Sequence, residues 1–203
     1  MKLAIAGCLG RMGLTLVEAV QGDSRFTLVA GSEREGINIT EAQTALAAFG
    51  AANLFITSDP RELAKKADAV IDFTAPEATL AVAEAVAERG GVHIVGTTGW
   101  TPEQQLKLER YAVKSRIVQA GNFSLGVNLL ERLVEQAAKI LDDSYDIEIS
   151  EMHHKHKKDS PSGTALMLGR ATALGRSVDF DRQKMLDRGG ERKKGDIGSS
   201  VAR

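Results

Sequence analysis

The chain has 203 residues, of which 43% are hydrophobic and 26% charged, and its formal net charge is −1. That balance describes one or two globular domains and argues against a dedicated nucleic-acid binder; no apolar run reaches the roughly 18 residues a membrane span needs. Met1–Gly7 is too short and too quickly glycine-rich for a secretory signal; the single Cys8 has no internal disulfide partner, which fits a reducing cytoplasm.

The first 120 residues alternate short β-branched runs with amphipathic stretches, the pattern of a parallel sheet covered by helices. Strands are predicted at Leu3–Ala6, Thr27–Gly31, Leu54–Thr57, Ala69–Phe73, His93–Gly96 and Ile117–Gln119. Helices are predicted at Arg11–Val20, Ala42–Phe49, Arg61–Lys66, Pro76–Arg89 and Pro102–Lys114, with Pro76 and Pro102 suited to a first turn. With nine aromatic residues in the chain, the core must be built from Ala, Val, Leu and Ile. His93 reads as a satisfied core histidine and Trp100 as packing at a domain edge.

The character changes after Asn122. Leu125–Leu141 reads as one long helix with Leu125, Leu129, Leu133, Ala137 and Leu141 along one stripe. A strand at Tyr145–Met152 sets Ile147 and Ile149 against Asp146, Glu148 and Ser150, and a helix follows from Thr164 to Leu174. Beyond Ser177 the chain is polar and glycine-bearing, with no closing element predicted. The reading is therefore α/β: a Rossmann-like parallel sheet over residues 1–121, then a second, α+β domain over 122–203.

The nucleotide signal sits where the first strand runs into Gly7-Cys8-Leu9-Gly10-Arg11-Met12-Gly13. Glycines there allow a tight turn and let the backbone approach a pyrophosphate at a helix N-terminus. Glu33 lies 20 residues beyond Gly13, where a carboxylate accepts hydrogen bonds from an adenosine ribose. Glu33 favours a 2′-hydroxyl and hence NADH, whereas the adjacent Arg34 suits a 2′-phosphate and hence NADPH, so the pair is compatible with both. Asp72-Phe73-Thr74 and Gly96-Thr97-Thr98-Gly99 follow later strands, at the end of the sheet where such folds bind ligands.

The densest chemistry lies in Glu151–Ala165, EMHHKHKKDSPSGTA. His153, His154 and His156 exchange protons near neutral pH, and Lys155, Lys157 and Lys158 supply cations. Ser162-Gly163-Thr164 reads as a helix start whose backbone N–H groups point at an anion. A small dicarboxylate fits that combination. A metal site does not: His153 and His156 are three apart, but three lysines repel a cation and no cysteine completes a zinc shell.

These pieces resemble one family, the 4-hydroxy-tetrahydrodipicolinate (dihydrodipicolinate) reductases of bacterial lysine and diaminopimelate synthesis. The resemblance rests on GCLGRMG, SEREG, DFTAPEAT, GTTGW, AGNFSLGVN and EMHHKHKKDSPSGTA, in the family's order. It implies hydride transfer from NADPH or NADH to a cyclic dicarboxylate in a cytoplasmic homotetramer. It also implies His153 as acid/base residue, Lys157 as cationic partner or proton donor, and His154, Ser162, Gly163 and Thr164 as carboxylate ligands. Gly7, Gly10, Arg11, Met12, Gly13, Glu33, Arg34, Phe73, Gly96, Thr97, Thr98, Ala120, Gly121, Asn122 and Phe123 fall where the family contacts its nucleotide.

Ala75 departs from the pattern, standing where many members carry a longer, often basic residue. Family members also continue past a stretch like Gly195–Gly198, so the resemblance reads the second domain as truncated at its C-terminus. Two alternatives share these features: an oxidoreductase of the same plan acting on another amino-acid precursor, and a catalytically silent nucleotide-binding fragment.

Overall fold

The computed structural model describes residues 1–153, 161–186 and 197–202. The chain folds as two compact units, Met1–Ala120 and Gly121–Arg203.

The first unit holds six parallel strands: β1 (Lys2–Ala6), β2 (Thr27–Ser32), β3 (Phe55–Thr57), β4 (Ala69–Asp72), β5 (Val92–Val95) and β6 (Arg116–Gln119). Their order is β3-β2-β1-β4-β5-β6, the doubly wound arrangement, with the chain reversing direction of travel at β1 and β4. The crossovers are α1 (Arg11–Gln21), α2 (Ile39–Ala47), α3 (Pro60–Lys66), α4 (Pro76–Arg89) and α5 (Pro102–Ala112).

Alternation along β1 explains the layering. Ile5 joins Val17, Leu46, Leu54 and Ile56 on one face, whereas Ala4 and Ala6 join Leu63, Val70, Val82 and Val86 on the other. Each fully buried aliphatic of this size contributes about 1.5–3 kcal/mol, so the two faces together anchor β1 at the centre. Helix starts are fixed by side chains: Asn38, Asp59 and Thr101 accept backbone N–H bonds at the first turns of α2, α3 and α5. Ala75 caps α4 without a side-chain bond, and α4 relies on Pro76 at its first position instead.

The second unit contains α6 (Leu125–Ile140), β7 (Ile147–Met152), α7 (Gly163–Gly175), α8 (Phe180–Gln183), β8 (Lys184–Met185) and β9 (Ile197–Ala202). One expectation, a tail without regular elements, is corrected here. The leucine stripe of α6 points outward, with Leu125 86% and Leu129 58% exposed, while Ala138 is buried and Val127 and Val134 are half-buried. The face used is thus the small-residue one, which lets α7 approach closely: a Cβ on Gly175 would fall 2.3 Å from the Glu135 carbonyl oxygen. The polar tail, for which no element was predicted, supplies β9. It lies between β7 and β8 and pairs parallel to both.

Candidate active site

The loop after β1 is built by close backbone approach. Gly7 turns with φ +66°, and the Gly7 and Cys8 N–H groups donate to the Ser32 carbonyl at 2.8 and 3.1 Å. A Cβ on Gly13 would stand 2.0 Å from the Gly7 oxygen and 2.7 Å from the Cys8 carbonyl carbon, so only glycine lets α1 start against this turn. Gly10 is the N-cap of α1 and makes no side-chain cap bond, which leaves first-turn N–H groups available to an anion. Arg11 and Met12 are exposed beside it.

Glu33 follows β2 and accepts the Leu9 N–H through Oε1 at 2.7 Å. One carboxylate oxygen thus secures the glycine turn, and the other is left to accept from a ligand. Beside it opens a cleft of about 390 Å³ lined by Ala6, Gly7, Ser32, Glu33, Arg34 and Ser58, among others. A turn with no room for side chains, a helix start and an acid beside a cleft fit an adenosine diphosphate group. Cys8, buried under this turn, has its thiol pushed up to about 12 by burial and by the Glu33 charge, and it serves packing rather than chemistry.

A buried polar cluster underlies the loops after β4 and β5. Asp72 and His93 are both fully buried, with His93 Nε2 and Asp72 Oδ2 3.3 Å apart. Asp72 Oδ1 accepts from the Thr74 N–H at 2.9 Å and from the Thr74 hydroxyl at 2.6 Å. Thr97 shares a 2.7 Å bond with Thr79 and is buried, so its side chain ties loop to helix, whereas the Thr98 side chain is exposed. Phe73 packs against Gly96, where a Cβ would fall 2.1 Å from the ring. Trp100 donates from Nε1 to the Thr97 carbonyl at 2.7 Å and packs beside Val95 and Leu108. His93 is only half satisfied, since its Nδ1 has no partner among the described residues.

Burial pushes the Asp72 carboxyl up, but the bonds from His93 and Thr74 outweigh it and hold the group below the usual carboxylate range. A depressed carboxyl stabilises the fold above its unfolded value of about 3.9, and that contribution is lost as pH falls through the lower folded value. Asp72→Asn is expected to destabilise the protein by about 2 kcal/mol at neutral pH. Thermal unfolding from pH 7 to pH 3 should show the gap closing below about pH 4; a gap independent of pH would assign the loss to packing alone.

In the second unit, β7 delivers the residues of the histidine-rich segment. His153 lies at the end of β7, its side chain 29% exposed, with Nε2 3.0 Å from Glu151 Oε2. Ser162 is the N-cap of α7 and its Oγ accepts from the Ala165 N–H at 3.0 Å. Gly163 and Thr164 form the first turn, and Asn122 Nδ2 donates to Thr164 Oγ1 at 3.4 Å. Asn122 also accepts the Ser124 N–H at 2.8 Å through Oδ1, and Phe123 is 43% exposed. Ala120 ends the first unit and Gly121 begins the second. His154 and Lys157 lie outside the described residues, as do Lys155, His156 and Lys158. Glu151 was not among the expected site residues. Its signal was available, since it continues the Ile147–Ile149 face of β7 as a carboxylate.

A doubly wound sheet whose first strand runs through a glycine turn into a helix is the architecture of dinucleotide-binding domains. Residues 1–123 match the family described as "Dihydrodipicolinate reductase, N-terminus", and residues 126–203 match "Dihydrodipicolinate reductase, C-terminus". The chain belongs to the dihydrodipicolinate reductase family. A 4-hydroxy-tetrahydrodipicolinate reductase of Dinoroseobacter shibae is 49% identical over 99% of this chain and 76% of its own length. One from Bradyrhizobium is 44% identical, covering 100% of this chain and 76% of that protein. The fold also matches a dipicolinate-bound dihydrodipicolinate reductase from Paenisporosarcina sp. TG-14, with TM-score 0.72 and 24% identity over 99% of this chain and 78% of that one.

Proposed function

We propose that this chain is an NAD(P)H-dependent 4-hydroxy-tetrahydrodipicolinate reductase of lysine and diaminopimelate synthesis, forming tetrahydrodipicolinate. The observation that carries the reading is the match to both halves of the family, with the glycine turn and the His153–Ser162 cluster falling one in each half. When bound, the reduced nicotinamide supplies the hydride. The chain's own residues do the rest. Gly7–Gly13 and Glu33 hold the adenosine diphosphate end, and the loops at Phe73 and Gly96–Thr98 hold the nicotinamide end. The Gly163 and Thr164 N–H groups at the start of α7 take one substrate carboxylate, while the Ser162 N–H and hydroxyl are held by Glu151, and Lys157 and His154 add charge and hydrogen bonds to the dianion. His153 exchanges the proton that balances the hydride at the neighbouring ring position, and Lys157 is its cationic partner. The hydroxyl leaves as water, so one hydride and one proton enter per turnover. The enzyme works as a cytoplasmic homotetramer.

Glu33 and Arg34 together suit both cofactors: the carboxylate receives ribose hydroxyls, and the exposed guanidinium beside the same cleft meets a 2′-phosphate. Parallel assays of NADH and NADPH oxidation at 340 nm, with freshly generated substrate, should show turnover with both. Arg34→Ala is expected to raise KM for NADPH about tenfold and to leave KM for NADH within about twofold, as for one lost charge-assisted contact. Equal loss for both cofactors would remove Arg34 from 2′-phosphate recognition.

A further inference from the structure

We propose that Glu151 is a positioning residue for this reaction, fixing the tautomer and direction of His153 and tying it to the carboxylate-binding turn at Ser162. The proposal rests on the reading of His153 as the proton-exchanging residue, and it adds which ring nitrogen does the exchange.

In β7 the residues Ile147, Ile149 and Glu151 share the half-buried face, so a carboxylate occupies a place where the alternation calls for an apolar side chain. Its side chain is only 13% exposed. A carboxylate so placed is costly unless its lone pairs are filled. Three donors fill them. Oε1 accepts the Ser162 N–H at 2.8 Å, and Oε2 accepts the Ser162 hydroxyl and faces His153 Nε2 at 3.0 Å.

Proton inventory then settles the directions. The Ser162 oxygen accepts the Ala165 N–H, and because an ionised carboxylate has no hydrogen to give, the Ser162 hydroxyl donates to Glu151. Burial raises the Glu151 carboxyl, but the bonds from Ser162 and His153 outweigh it and keep the group ionised at neutral pH. An ionised carboxylate only accepts, so His153 must carry its hydrogen on Nε2. In the neutral ring Nδ1 is then the basic nitrogen, and in the protonated ring Nδ1–H is the acid. Glu151 thus assigns the exchanged proton to Nδ1, and through Ser162 it joins that ring to the first turn of α7.

The test has a spectroscopic arm and a kinetic arm. Long-range ¹⁵N–¹H spectra of histidine-labelled wild-type protein should show the neutral His153 ring as the Nε2–H tautomer; an Nδ1–H tautomer would overturn the proposal without any variant. Glu151→Gln should lower kcat 10- to 100-fold, with KM for NADPH within about twofold, as when the partner that orients a functional histidine is removed. In a His153→Ala background the same change should cost less than about threefold, because the two residues act as a unit. An impaired His153→Ala beside an unimpaired Glu151→Gln overturns the positioning role alone. A fully active His153→Ala would instead overturn the reading of the site, and the proposal with it.

Discussion

Gly13→Ala is expected to abolish dinucleotide binding. The new methyl carbon would lie 2.0 Å from the Gly7 oxygen and within 2.9 Å of two backbone atoms of Cys8. None of these is the tip of a flexible side chain, so the first turn of α1 or the glycine turn itself must move. Either movement breaks the two N–H bonds to the Ser32 carbonyl and shifts Leu9 away from Glu33. The phosphate site and the ribose acid are therefore lost together. Overpacking of this kind costs about 1–3 kcal/mol of stability, but the larger effect is on binding, since a displacement near 1 Å ruins a site made of backbone N–H groups. Titration of NADPH by fluorescence or calorimetry should show at least a hundredfold loss of affinity, with the far-UV circular dichroism preserved. Unchanged affinity would place the pyrophosphate elsewhere.

His153→Gln is expected to lower kcat by about 10²- to 10⁴-fold, the range for removing a positioned acid or base. Glutamine retains an amide that can donate to Glu151, so Ser162 and the start of α7 should keep their hydrogen bonds. KM for substrate should therefore change little, because the carboxylate turn survives. A pH–rate profile with the shape and height of the wild type would remove His153 from proton transfer. Loss in KM alone would make it a binding residue.

Much of this was legible in the sequence because local and global signals agree in the first unit. Proline and cap residues mark the helix starts, β-branched runs mark the strands, and parallel pairing follows from their alternation. The glycine turn was legible for the same reason: strand, glycines, helix and acid occur in the order that builds it. Elsewhere pairing and packing override the pattern. Gly198, Ser199 and Ser200 carry no strand propensity, yet β9 pairs along its length with β7, and at Ile197 and Gly198 with β8 as well, so backbone pairing determines its conformation. The leucines of α6 made the obvious stripe, but α7 comes closest at Glu135, Ala138 and Lys139, where Gly175 permits close approach. The Asp72–His93 pair could not be read at all from spacing. It depends on β4 and β5 being neighbours, with Val70 opposite His93 and Asp72 opposite Val95. Glu151 was hidden differently, since it opens a run of histidines and lysines whose charge draws attention away from its place in the strand.

The most direct test of the central claim follows the hydride itself. The purified chain would be incubated with NADPH deuterated at C4 on the transferred face and freshly generated 4-hydroxy-tetrahydrodipicolinate, and the product examined by mass spectrometry. The account predicts tetrahydrodipicolinate carrying one deuterium on a ring carbon, formed in step with NADPH oxidation and suppressed in His153→Gln. NADPH bound tightly but not oxidised, or oxidised without deuterium reaching the ring, would contradict it.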